Sequence, residues 1–184
     1  MKLPFEHIET PHLVLRPPEL GDWPVFLRFI KDERSQFIGG GPQANERDAW
    51  RAFGHLVGHW VLRDFGSFII TSKNTGQIIG LTGPWFPMNH PEREIGWSVW
   101  DAGMEGKGIA YEAALAAREH AYGTLGWETA VSYIDPKNTR SIALAERLGA
   151  TLDGTAPKPY DDDQATLVYR HPAPDIDGNP EAYA

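Results

Sequence analysis

Cysteine is absent from the 184-residue chain, which removes disulfides, thiolate metal sites and a cysteine nucleophile together. No apolar run approaches the ~18 residues of a membrane-spanning helix. The opening MKLPFEHIETPH also lacks the apolar stretch of a secretory signal. A cytoplasmic protein with no membrane partner is expected. Positive charge is in deficit: 17 Lys and Arg face 25 Asp and Glu, for a formal net charge of −8. Nucleic-acid binding, which rests on basic surface meeting phosphate, is disfavoured. A cationic partner such as an amine suits this balance. Internal repeats are lacking and no break marks a second domain, so one domain with a substantial core is expected.

What is present alternates between helical and strand periodicity. HLVLRPP, 12–18, reads as a strand ended by prolines. LGDWPVFLRFIKD, 20–32, predicts a helix capped by Asp22, with Phe26, Phe29 and Ile30 on one face. After the break GGGP, 39–42, Asn45 precedes an amphipathic helix carrying Trp50, Phe53, Val57, Trp60 and Val61. A hairpin over 67–86 turns at Asn74-Thr75-Gly76, and REIGWSVW, 93–100, predicts another strand. The helix expected over 108–124 bears Ala110, Ala113, Ala114, Ala117 and Ala121, a small-residue face that lets it lie close to a sheet. ETAVSYI, 128–134, is a strand, and a helix from Asn138 stops at Gly149. Strands at ATLDGT and QATLVYR flank the loop APKPYDDD. Of the seven tryptophans, Trp50, Trp60 and Trp85, with Phe86, are read as core. This order of elements makes an α+β domain.

EGKGIAYEAALAA, 105–117, places glycines at the mouth of a helix. The first turn of a helix has unpaired N–H groups and the positive dipole end, so such a turn either cradles a phosphate or is a plain loop. A Walker A loop needs four residues between its glycines and then Lys-Ser/Thr. Here Gly103 and Gly106 enclose two residues, and Gly108 follows Lys107. The dinucleotide fingerprint fails at its third glycine, where Tyr111 stands.

Residues 93–150 resemble the GCN5-related N-acetyltransferase (GNAT) superfamily, most closely its branch of ribosomal-protein N-terminal acetyltransferases. The likeness rests on Glu94-Ile95-Gly96-Trp97, on Gly106, Gly108, Ala110, Glu112 and Ala113, on Asn138 and Ser141, and on the closing Leu148-Gly149. LVLRPPELGDW near the start is similar to the same branch. The resemblance implies a mixed, mostly antiparallel central sheet, splayed at the cofactor site and flanked by about four helices. It implies acetyl-CoA as acyl donor, its pyrophosphate held by backbone amides of Gly106, Lys107, Gly108, Ile109 and Ala110. Its pantetheine arm would run along the preceding strand, among Trp97, Ser98, Val99 and Trp100. The acceptor would be a primary amine, on a protein N-terminus or a small molecule, and the protein a monomer or homodimer. The domain would span 1–171, leaving 172–184 as an acidic, Pro/Gly-rich tail.

Two positions depart from the family's pattern. Glu105 stands where glutamine or arginine is usual, a carboxylate close to a pyrophosphate. The tyrosine acid that many members place seven residues after the Asn is Ala145 here. In the branch that this chain resembles, a serine takes that neighbourhood, here Ser141, although a first-turn serine also commonly just bonds backbone. Glu94 is the candidate base, acting through water, with a solvent-facing strand-end carboxylate as the plainer alternative. Asn138 suits both a cofactor ligand and a helix cap. A catalytically silent acyl-CoA-binding or sensing module is the competing function. His55 and His59 have helical i, i+4 spacing, but no third ligand accompanies them, and no metal is expected. Asp161, Asp162 and Asp163 are either solvated surface or a lure for a cationic acceptor.

Overall fold

The structure, a computed structural model, describes residues 7–159 and 166–173. Strands β1 (Ile8–Glu9) and β2 (Leu13–Arg16) lead to helices α1 (Trp23–Ile30) and α2 (Glu46–Arg63). The hairpin β3 (Phe68–Ser72) and β4 (Ile78–Trp85) follows, then β5 (Glu94–Val99), α3 (Ile109–Gly123) and β6 (Val131–Ile134). Helix α4 (Thr139–Arg147) and strands β7 (Thr151–Leu152) and β8 (Leu167–Arg170) complete the described chain. The sheet runs β1-β2-β3-β4-β5-β6-β8-β7. Every neighbouring pair is antiparallel except β5 and β6. Among the described residues no helix is long and apolar enough to cross a membrane.

The parallel pair positions the site. β4 and β5 pair along their length, from Gly80 opposite Val99 to Trp85 opposite Glu94. β5 and β6 meet only at Glu94 opposite Val131, so beyond that point the sheet is split. The closed end of the fork is pinned by side chains. Ser132 Oγ donates to the Ile95 carbonyl at 2.6 Å and lies 2.9 Å from His171 Nε2. β6 begins at Val131 rather than at Glu128, later than its β-rich composition suggests.

Both faces of the sheet are covered. Phe26, Phe29 and Phe53 of α1 and α2 pack with Ile69 and Trp100. Ala113 and Ala117 of α3 pack with Leu13, Leu15, Ile70 and Ile79. The alanine face is fully buried at Ala113, Ala114, Ala117 and Ala121, while Ala110 is half-buried. This small-residue seam brings α3 close to β4 and β5, and with it the glycine turn that precedes it.

Two local expectations change. Asp22 does not cap α1 with its side chain. It is wholly buried, and its carboxylate accepts from Arg16 at 2.6 and 2.9 Å and from the Glu19 N–H at 2.8 Å. Trp50 is 49% exposed and Val61 46%, because the inward face of α2 runs through Ala49, Phe53 and Trp60. A one-residue step rotates a helical position by about 100°, which carries Trp50 and Val61 off that face. Strand β1 is only two residues long, so the sequence carries no alternation that could mark it.

Candidate active site

A cavity of about 850 Å³ occupies the split. β5 contributes Trp97, Ser98 and Val99, and the turn into α3 contributes Glu105, Gly106 and Gly108. α4 contributes Asn138, Arg140 and Ser141, and Arg34 and Phe37 close the side toward α1. Gly106 and Gly108 have φ of +72° and +80°, a left-handed backbone that side-chain-bearing residues rarely adopt. An added Cβ at either would meet, among the described residues, no atom within 4 Å beyond its immediate chain neighbours, so the space over the turn is open. Gly108 is the N-cap residue of α3. The unpaired first-turn N–H groups of that helix, together with its dipole, favour an anion there.

Glu105, the unexpected carboxylate, is held between two cations. Its Oε1 lies 3.2 Å from Arg34 Nη1, and its Oε2 lies 2.5 Å from Arg140 Nη1. Arg34 is itself anchored, donating to the Trp100 carbonyl at 2.9 Å and to Asp32 Oδ1 at 3.0 Å. Arg140 is largely exposed. The mouth of the groove therefore presents two guanidinium groups, with Glu105 in the place between them that an anionic ligand group would suit.

Across from the turn, the Asn138 side chain caps α4 by accepting from the Ser141 N–H at 3.2 Å. Ser141 Oγ accepts a hydrogen bond from Trp97 Nε1 at 3.2 Å. Ala145 is completely buried among Ile134, Ala150 and Tyr169. Substituting tyrosine there to restore the missing acid would overpack the core rather than deliver a hydroxyl to the groove.

Glu94 sits at the fork. Its side chain is 14% exposed, and Oε2 lies 3.1 Å from His90 Nδ1, although the pair is poorly aligned for a hydrogen bond. Tyr133, on β6, packs edge-on to the His90 ring at 5.0 Å. Burial above all, with the charges of Glu92 and Glu94 nearby, pushes the pKa of the Tyr133 hydroxyl up to about 12. Side chains alternate along a strand. Ile95 and Trp97 face α3 and α4, so Glu94 belongs to the opposite face, at the paired end of the fork beside Val131, and it is not among the residues that line the cavity. His90 and Tyr133 carried no motif in the sequence; only the fold brings them beside Glu94.

The remaining expected residues separate. Trp100 is 4% exposed, stacks on Phe29 at 5.9 Å and donates Nε1 to Ser98 Oγ at 2.9 Å. It belongs to the core and does not line the groove, because β5 ends at Val99 and the next side chain turns toward α1. The Lys107 side chain lines a neighbouring cavity of about 1000 Å³ and lies over Met104, its Nζ 4.0 Å from the sulfur. That larger cavity is away from the fork, with Glu112 tied down there by Thr10 and His12. Ile109 and Ala110 line the groove. Both ring nitrogens of His59 are used by backbone: Nδ1 donates to the Phe65 carbonyl and Nε2 accepts from the Phe86 N–H. Among the described residues no group of three or more acidic or histidine side chains is arranged to hold a metal. Asp161, Asp162 and Asp163 lie outside the described residues.

A sequence model of the acetyltransferase (GNAT) domain matches residues 12–151. An acetyltransferase from Agrobacterium tumefaciens strain C58 is 37% identical and superposes with a TM-score of 0.84, over 94% of this chain and 97% of that one. RimL, a ribosomal L7/L12 alpha-N-protein acetyltransferase solved with coenzyme A, is 20% identical with a TM-score of 0.71, over 95% and 100% of the two chains. Spermidine N-acetyltransferase from Vibrio cholerae, solved with CoA and spermine, is 17% identical with a TM-score of 0.65, over 88% and 94%. At these last two identities the likeness is one of fold. The chain belongs to the GCN5-related N-acetyltransferase superfamily.

Proposed function

We propose that this protein transfers the acetyl group of acetyl-CoA directly to a primary amine, on a protein N-terminus or a small molecule. The observation that carries the proposal is the split between β5 and β6, with an open glycine turn at one end, Ser141 on its wall and Glu94 at the point where the two strands still pair. Backbone amides of residues 106–110 hold the pyrophosphate, with Arg34 and Arg140 adding charge, and the exposed edge of β5 at Trp97, Ser98 and Val99 takes the pantetheine arm. The ammonium form of the acceptor must lose a proton before it attacks, and Glu94 receives it through water. The new C–N bond forms as the C–S bond breaks and its electron pair moves to sulfur. The sulfur takes a proton from Ser141 Oγ, and the proton shed by the acylated nitrogen restores the balance through solvent. Asn138 keeps Ser141 in place by capping α4.

Two solved relatives of the same fold hold CoA, and one of these also holds spermine. They support CoA as donor and an amine as acceptor. The test is CoA thiol release from acetyl-CoA across polyamines, small primary amines and peptides with free N-termini. Release with at least one acceptor, and none with an N-blocked peptide, is the expected result. A CoA-induced rise in melting temperature without thiol release from any acceptor would mark a binding or sensing module, the function that Ala145 by itself favours.

A further inference from the structure

The hydrogen bond between Trp97 and Ser141 has a fixed direction. An indole N–H only donates, and a serine hydroxyl has one proton and two lone pairs. Trp97 Nε1, 3.2 Å from Ser141 Oγ, is therefore the donor, and Ser141 keeps its own proton. Among the described residues no protein group takes that proton. A serine in the first turn of a helix ordinarily spends its hydroxyl on nearby backbone; here the backbone N–H of Ser141 is satisfied by Asn138.

The indole is held rigidly enough to set this geometry. Trp97 packs against Ile95, Ala121 and Trp127 on one side and against Ile134, Ala145 and Tyr169 on the other. The His171 ring stands perpendicular to it at 6.3 Å. Ala145, at the position where the family's pattern has a tyrosine, is small and fully buried in the cluster that receives this ring. The bond also joins β5 to α4, the two walls of the groove.

We propose that Trp97 is a positioning residue for Ser141: its indole N–H occupies one lone pair of the hydroxyl and leaves the Ser141 proton directed at the departing sulfur. As that proton moves, negative charge grows on Oγ, and the indole donor stabilises it without reorganising. This rests on Ser141 being the acid proposed above.

Trp97→Phe removes the N–H and keeps most of the ring. Measured with Ser141→Ala and the double variant, under conditions where chemistry limits turnover, it gives a closed cycle. Trp97→Phe is expected to lower kcat about three- to tenfold, the worth of one neutral hydrogen bond. Because β5 receives the pantetheine arm through its backbone edge, any change in the KM for acetyl-CoA should be smaller than the change in kcat and the same in both Ser141 backgrounds. In the Ser141→Ala background the same substitution should cost nothing further. Equal losses in both backgrounds would show that Trp97 does not act through Ser141, and the inference would be wrong. A slow Ser141→Ala beside a fully active Trp97→Phe would overturn this inference alone, while a fully active Ser141→Ala would remove the acid itself. Should Trp97→Phe not fold, the indole ¹⁵N–¹H signal of Trp97 reads the bond in the parent chain. It must shift when Ser141 becomes Ala; a stationary signal refutes the bond.

Discussion

Buried polar side chains pin the closed end of the fork, and one of them, His171, links stability to pH. His171 is buried between Ser132 and Arg118, with Nε2 2.9 Å from Ser132 Oγ and Nδ1 3.4 Å from Arg118 Nη1. Burial first, and the Arg118 charge second, hold its pKa down at about 3. The ring is neutral in the folded protein, whereas in the unfolded chain it takes a proton near the ordinary value of 6.5. Between those two pH values unfolding takes up a proton. Its contribution is intact above the unfolded value and is lost as pH falls from there toward about 3. The slope approaches ~1.4 kcal/mol per pH unit. In urea melts, the stability advantage of the parent over His171→Gln should shrink at about that slope between roughly pH 6 and 4. A constant difference across that range would mean that His171 titrates alike in both states.

At the scale of elements, the turn from β5 into α3 does two jobs with opposite charge requirements. The left-handed glycines free the backbone donors, and Glu105 ties Arg34 and Arg140 across the mouth. An incoming phosphate and the Glu105 carboxylate want the same guanidinium groups. Glu105→Gln should therefore tighten CoA binding by about two- to fivefold, the worth of an exposed ion pair. The gain should be largest at low ionic strength, where screening is weakest. Calorimetric titration checks both. Weaker CoA binding in Glu105→Gln would show that the carboxylate arranges the arginines rather than competing for them.

For the whole molecule, the chain beyond β8 still packs. The Tyr122 hydroxyl donates to the Pro172 carbonyl at 2.9 Å, and the Pro172 ring approaches Gly149. The boundary expected at 171 therefore cuts through a packed segment, while 174–184 fall outside the described residues. Truncation after Ala173 should leave CoA binding and melting temperature unchanged. Truncation before His171 removes a buried ring and its two partners' contacts, and it should abolish cooperative unfolding. Calorimetric melts of both truncated chains, with and without CoA, separate these outcomes. A large loss on removing 174–184 would give that segment a place in the fold or at the site.

Local patterns in the sequence determined a good deal. The hairpin at Asn74-Gly76, the alanine seam of α3, the cap at Asn138 and the stop at Gly149 are each set by neighbours within a few residues. The glycine turn was legible for the same reason, because a left-handed backbone at a helix start requires glycine. Residues that meet across the fold were not legible. Nothing near Glu105 announces Arg34 or Arg140, which lie 71 and 35 positions away. Nothing near Ser141 announces Trp97, 44 positions away, and nothing near Ser132 announces His171. The destination of Trp100 was equally hidden, since only the packing of α1 against the sheet turns its ring inward. Periodicity reports which face of an element is apolar. Which charges and hydroxyls share a groove is decided by the split between β5 and β6 and by the helices that converge there, and that is a property of the tertiary structure alone.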